Sequence, residues 1–203
     1  DPRLERVGLV GLGTGALAAY GAPGRSFSFF EIDPAVVRIA RDPALFTYLA
    51  DSAAAIEIEI GDGRLTLARE PDGKFGLLVL DAFSSDAIPV HLITVEAIRL
   101  YLSKLTPGGV LAFHISNRHL NLSPVLAAAA EGLGLTGLRQ IDLALEDEAD
   151  EGRVSSTWVM LARERAALRP IARDGRWEPL RGRAGFRAWT DDYSNIWSIM
   201  EWD

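Results

Sequence analysis

The 203-residue sequence contains no cysteine, which excludes disulfides and thiolate metal sites as supports of the fold or as chemistry. Histidine is almost as scarce, with three residues, His91, His114 and His119. His91 and His119 lack paired ligand spacing, so no metal is expected. His114 ends a predicted strand and reads either as a base or as a hydrogen-bonded structural histidine. Positive charge is also short: 21 Lys and Arg stand against 28 Asp and Glu, giving a formal net charge of −7 and a pI near 5.0. That balance argues against the basic surface that binds phosphate backbones, so no nucleic acid partner is expected, whereas a small cation would be drawn in. No apolar run approaches the roughly 20 residues of a membrane-spanning helix, and the opening Asp1-Pro2-Arg3 has no signal-peptide architecture. The chain reads as soluble and cytoplasmic. It has no initiator Met and enters its first apolar run almost at once, as an excised or processed piece of a longer protein would.

What is present is an ordinary globular composition, 48% hydrophobic and 24% charged, in a length that suits one sizeable α/β domain. Val7–Val10 is an apolar run closed by Gly11-Leu12-Gly13-Thr14-Gly15, followed by a helical reading over Ala16–Tyr20. Phe27–Ile32 is a second β-rich run ending at Asp33-Pro34, where Asp33 can cap a helix over Ala35–Arg41. Ile56, Ile58 and Ile60 alternate with Glu57 and Glu59 as a third strand, which ends at Gly61-Asp62-Gly63 ahead of a short helix over Leu65–Arg69. The continuous apolar run Leu77–Leu80 fits a central strand covered on both faces. A helix over Thr94–Leu105 should stop before Pro107-Gly108-Gly109, with a strand over Val110–Ile115 and a helix over Leu122–Leu133, capped by Asn121, to follow. Gly137–Leu143 and Ser156–Ala162 read as a hairpin across the acidic segment Glu146–Glu151. Five alternations of strand and helix followed by two successive strands argue for a doubly wound, mainly parallel sheet with an antiparallel hairpin at one edge. The expected organisation is an α/β domain over 1–163 and an extension over 164–203 packed on it, with Trp189–Trp202 folding back.

The three glycines of the first turn let the backbone approach a ligand closely, although a glycine-rich turn after any strand gives the same letters. Glu31 sharpens the reading. It ends the second strand about 20 residues after the first glycine, where an acid can accept both hydroxyls of a ribose. Asp62, at the end of the third strand, can accept from an adenine amino group, or it can simply serve the turn. Asp81 and Asp86, in Asp81-Ala82-Phe83-Ser84-Ser85-Asp86, follow the predicted central strand at the mouth of the same crevice, unless they are only capping and solvated loop acids.

Together with His114-Ile115-Ser116-Asn117 and Trp189-Thr190-Asp191-Asp192-Tyr193-Ser194-Asn195, this order of motifs resembles the spermidine synthase (polyamine aminopropyltransferase) family. It is most like the spermidine-synthase-like domain of bacterial transporter-fused proteins, and the similarity runs over nearly the whole chain. The resemblance implies a seven-stranded sheet of the S-adenosylmethionine-dependent methyltransferase (Rossmann-like) type. It also implies a donor site from Gly11, Leu12, Gly13, Gly15, Glu31, Ile32, Asp62, Gly63, Asp81 and Ala82. Asp81 would be the catalytic carboxylate, with Asp86, Asp191, Asp192 and Tyr193 on the amine. The implied donor is decarboxylated S-adenosylmethionine or S-adenosylmethionine itself, the partner a small-molecule amine, with no metal. Homodimer formation and attachment to a transporter in a longer parent stay open.

The chemistry is coherent without the name. An alkylamine with a pKa of about 10.4 is protonated at neutral pH and must lose a proton before it attacks carbon. A carboxylate at the crevice mouth can hold the cation in line and take that proton, while neighbouring acids would repel a donor that kept its own carboxylate. The sequence departs from the family in three respects. Thr14 and Ala16 occupy the glycine turn where an acid is usual, Asp81 and Asp86 stand further apart than the family's pair, and the N-terminal β-hairpin domain is absent ahead of the first strand. Two other readings therefore stand beside an aminopropyltransferase: an S-adenosylmethionine-dependent methyltransferase, and a non-catalytic domain sensing adenosyl nucleotides or polyamines for a larger protein.

Overall fold

The computed structural model describes residues 1–82, 89–117, 119–144 and 154–200. Asp86 and the acidic segment Glu146–Glu151 lie outside them. The chain clusters into two compact units, one of residues 1–82 and 99–111, the other of residues 83–98 and 112–203. The division falls inside the α/β region rather than at residue 163. Residues 164–200 share the second unit with the hairpin, because their helix packs on both hairpin strands.

In the first unit, β1 (Arg6–Val10), β2 (Ser26–Glu31), β3 (Ala55–Ile60) and β4 (Phe75–Leu80) run in the order β3-β2-β1-β4, with β5 (Leu105–His114) next to β4. The pairs β1–β2, β2–β3 and β1–β4 are all parallel. β1 and β4 are almost wholly apolar and buried, as strands covered on both faces must be, and β2 is buried too although it carries Ser28 and Glu31, whereas β3, the edge strand, alternates Ile with exposed Glu. Phe29, Leu9, Leu67, Phe75 and Leu78 form the centre of this core, each at most 1% exposed. α1 (Pro34–Ala40) begins as its sequence requires, with Asp33 Oδ1 accepting from Ala35 N at 2.7 Å and Pro34 in the first turn. α2 (Tyr48–Asp51), which the sequence did not announce, packs on the segment Ala16–Tyr20. That segment is a five-residue 3-10 helix rather than an α-helix. α3 (Gly63–Arg69) starts at Asp62, whose Oδ1 accepts from Leu65 N at 2.9 Å.

α4 (Val95–Lys104) and β5 each contribute residues to both units. Pro107-Gly108-Gly109, expected to separate helix from strand, is included in β5, which begins directly at the end of α4. The second unit adds α5 (Ser123–Gly132), β6 (Thr136–Asp142), β7 (Ser156–Ala162), α6 (Arg165–Ala172) and β8 (Glu178–Pro179). Its strands run in the order β5-β7-β6-β8, with β6 antiparallel to both β7 and β8. The expected hairpin is therefore present, but the described residues form eight strands rather than seven. β8 is the extra one: a two-residue strand containing Pro179 and paired through Leu138 and Arg139 has no periodicity to reveal it. Trp189 is fully buried, and its carbonyl accepts from Val95 N at 2.9 Å. Asn121 N donates to the Ile199 carbonyl at 2.8 Å, which ties residue 199 to the segment ahead of α5. No helix among the described residues is long and apolar enough to cross a membrane.

Candidate functional site

Residues from four neighbouring parallel strands of the first unit converge at their carboxyl ends. Val10 is opposite both Phe30 and Leu80, and Glu31 is opposite Ile60. The ladder continues one step past each strand. Gly11 N donates to the Phe30 carbonyl at 2.9 Å, Asp81 N to the Val10 carbonyl at 2.8 Å, and Gly61 N to the Glu31 carbonyl at 2.9 Å. Backbone register thus sets a row in the order Gly61-Asp62, Glu31, Gly11, Asp81. With strands about 4.8 Å apart, the row is on the order of 14 Å long. The strand order reverses between β1 and β4, and the crevice outside such a switch point is where open α/β sheets take ligands.

The glycine turn is fixed by geometry that other residues cannot adopt. Gly11 has φ +95°, and a Cβ there would lie 2.3 Å from the Asp81 carbonyl oxygen. Gly15 has φ +82° and lies against Leu49, whereas a Cβ on Gly13 (φ +54°) would meet nothing within 4 Å. Gly13 is therefore needed for its backbone angle alone, and it leaves the face of the turn open.

Glu31 is 7% exposed. Its Oε2 accepts from Leu12 N and its Oε1 from Asp33 N, each at 2.9 Å. The carboxylate therefore ties the glycine turn to the loop after β2, a contact that the sequence reading did not foresee. Each oxygen retains acceptor capacity, so one side chain can both hold the turn and receive a vicinal diol.

Asp62 caps α3 and accepts from Leu65 N, as its turn role requires. Gly63 is buried because a Cβ would come within 2.4 Å of Val10 Cγ1, so its size sets how closely α3 approaches β1. Around these acids, large aliphatic side chains remain in water: Ile32 is 68% exposed, Ile60 54% and Leu65 62%. Ile60 and Leu65 were missed in the sequence, where they read as the end of a strand and the start of a helix. The signal that could have found them is their position on either side of Asp62. Asp81 and Ala82 are half-buried at the end of β4.

The remaining sequence candidates belong to the second unit. Asp191 Oδ1 accepts from the Thr94 hydroxyl at 2.7 Å, and Asp191 N donates to Glu96 at 3.0 Å. Tyr193 carries the Arg187 guanidinium 4.0 Å from its ring centroid. Asp192 is exposed. His114 stacks on Trp158 at 4.7 Å, and its Nε2 lies 2.7 Å from Ser116 Oγ, which accepts from Thr157 N at 2.8 Å. That is the structural alternative for this histidine. Among the described residues no group of three His, Asp or Glu could hold a metal ion.

The chain is 32% identical over 116 residues to a polyamine aminopropyltransferase of Vibrio vulnificus, a match covering 55% of this chain and 38% of that protein. Its structure matches a probable spermidine synthase from Corynebacterium glutamicum with a TM-score of 0.67 at 17% identity, over 97% of this chain and 75% of that one. The fold is the one seen in that probable spermidine synthase. The chain spans well under half the length of the polyamine aminopropyltransferase it matches. The structure also matches a predicted O-methyltransferase from Agrobacterium tumefaciens, with a TM-score of 0.52 at 20% identity over 81% of this chain and 77% of the other. No family model matches the chain.

Proposed function

We propose that the chain is an aminopropyltransferase, moving the aminopropyl group of decarboxylated S-adenosylmethionine to a small amine. The observation that carries this reading is the row Asp62, Glu31, Gly11, Asp81 at the carboxyl ends of β3, β2, β1 and β4. An adenosyl sulfonium has its parts in the same linear order. The base lies at Asp62 with Ile32 beside it, the ribose diol at Glu31, the sulfur end over the open glycine turn, and the reacting carbon at Asp81. The relationship to a polyamine aminopropyltransferase supports the same assignment.

In the reaction, a nitrogen of the acceptor amine attacks the methylene carbon bonded to the sulfonium. The C–N bond forms as the C–S bond breaks, and the bonding pair goes to sulfur, which leaves as a neutral thioether. Asp81 holds the ammonium form of the acceptor by charge, orients the attacking nitrogen and takes its proton.

Isothermal titration with both donors, together with a product assay using putrescine and a panel of amines, tests the proposal. Decarboxylated donor should bind at least about tenfold tighter than the carboxylated form, and Asp81→Asn should lower turnover by roughly 10²- to 10⁴-fold with little change in donor affinity. A preference for the carboxylated donor would replace this reading with a methyltransferase. Binding without turnover across the panel would replace it with a sensor.

A further inference from the structure

The C-terminal segment of the second unit contains a concavity of about 180 Å³ lined by Arg183, Gly185, Phe186, Arg187, Tyr193 and Ser198, together with Ala184 and Asn195. Among the described residues, no Asp or Glu lines this space. Both arginines lie over aromatic rings, Arg183 at 4.9 Å from the Phe186 centroid and Arg187 at 4.0 Å from that of Tyr193. Neither has a carboxylate partner among the described residues; Arg183 donates only to the Ser198 carbonyl, at 2.8 Å. A guanidinium offers five N–H donors, so nearly all of this capacity is unspent. Tyr193, Asn195 and Ser198 line the same space, with the Ser198 hydroxyl donating to the Asn195 carbonyl at 2.6 Å.

We propose that this pocket is an oxyanion site for a tetrahedral dianion, either inorganic phosphate or the phosphoryl group of a small monoester. Two guanidiniums with no carboxylate partner among the described residues match two negative charges, and arginine forks fit phosphoryl oxygens in bidentate fashion. Lining donors from both arms of the segment favour a tetrahedral acceptor over a flat carboxylate. The volume falls below the roughly 300 Å³ at which drug-sized ligands are accommodated, and both rings already carry a cation, so a nucleotide base has no platform. An occupied site would join residues 183–187 to residues 193–198 across buried Trp189 and brace the segment that contains Asp191 and Asp192.

The test is titration calorimetry and thermal melting of the whole chain in sodium phosphate, glycerol phosphate and succinate, each at ionic strength matched with sodium chloride. No turnover is involved, so the outcome is independent of the aminopropyltransferase assignment. Phosphate should bind saturably at one site and raise the Tm in proportion to the logarithm of its concentration. A further gain with glycerol phosphate identifies the monoester as the occupant, and equal or weaker binding identifies free phosphate. Arg187→Gln and Arg183→Gln should each weaken phosphate binding by about tenfold or more. Arg187→Lys, which keeps the charge and the ring contact but loses the fork, should weaken it while leaving the ligand-free Tm unchanged. Arg173→Gln, an exposed arginine outside the pocket, should have no effect. The proposal is overturned by absence of saturable binding at about 10 mM phosphate, by equal weakening in Arg173→Gln, or by succinate binding more tightly than phosphate.

Discussion

The carboxyl edge of the first unit and the C-terminal segment of the second are held in place by different means. At the edge, the ladder bonds of Gly11, Gly61 and Asp81 position each candidate residue through its backbone, and the side chains of Glu31 and Asp62 close on backbone N–H groups a few residues away or one strand over. In the C-terminal segment there is almost no ladder. Position comes from side chains: Trp189 in the core, Asp191 on Thr94, Arg183 on Phe186 and Arg187 on Tyr193. A site set by strand register is insensitive to side-chain exchange but intolerant of an added Cβ, whereas a segment set by side chains should show the reverse.

The largest test of this contrast is Trp189→Ala. Removing a fully buried indole should cost about 3–5 kcal/mol and loosen the segment from Val95, without moving the carboxyl edge. Urea unfolding gives the first quantity, and amide exchange at Leu12 and Asp81 checks the second. Loss of protection at the edge in step with the segment would erase the distinction between the regions.

Gly11→Ala probes the other side. The substitution adds one methyl group, but at φ +95° and 2.3 Å from the Asp81 carbonyl oxygen. A left-handed angle costs roughly 1–3 kcal/mol on its own, and here the obstructing atom is backbone that cannot rotate away. Stability should fall by about that amount or more, and donor binding should be lost. Gly13→Ala has the same backbone penalty but open space around the new methyl, so it should be the milder of the two. Equal effects would show that strain in φ, rather than the approach of β1 to Asp81, governs the turn.

This contrast also explains what could be read from the sequence. Gly11, Glu31, Asp62 and Asp81 were legible because each follows an apolar run, and parallel strands carry their ends to one edge; periodicity alone put the four together. The closure of Glu31 on Leu12 N was not legible, since no pattern of residue types encodes which donor a carboxylate finds. The 3-10 form of Ala16–Tyr20 was likewise hidden, because its composition suits an α-helix and the difference comes from packing against α2. In the C-terminal segment the amphipathic spacing of α6 was there to be read and was overlooked, whereas β8 and the stacked pairs Arg183–Phe186 and Arg187–Tyr193 had no signature. Asp191 read as an amine ligand. Its bond to Thr94, 97 positions away in sequence, is a tertiary fact.

A smaller effect is expected from Glu31→Gln. The amide can accept one of the two N–H bonds but presents its own donors to the other, leaving Leu12 N or Asp33 N without an acceptor. That should cost about 1–3 kcal/mol and weaken donor binding more than Asp62→Asn does. If donor affinity is unchanged, Glu31 serves the turn alone and the ribose assignment fails.

The smallest predicted change lies away from both regions and tests whether the first unit relies on any side-chain pair at all. Asp72 accepts from buried Lys104 at 2.7 Å and from Ser103 at 3.1 Å, and Lys104 also donates to the Glu70 carbonyl. The Lys104 hydrogen bond, more than the Ser103 bond or the charge itself, holds the Asp72 carboxyl below the ordinary carboxylate value. A carboxyl whose pKa is depressed on folding stabilises the native state above its unfolded pKa, and that contribution is lost as pH falls through the depressed value. Asp72→Asn should therefore be less stable than wild type at neutral pH and match it in strong acid. Urea midpoints from pH 7 down to about 2 should converge only below the ordinary carboxylate range. Midpoints that differ by a constant amount at every pH would mean that the ion pair contributes nothing and that the Glu70 carbonyl alone anchors Lys104, in keeping with a unit fixed by its backbone.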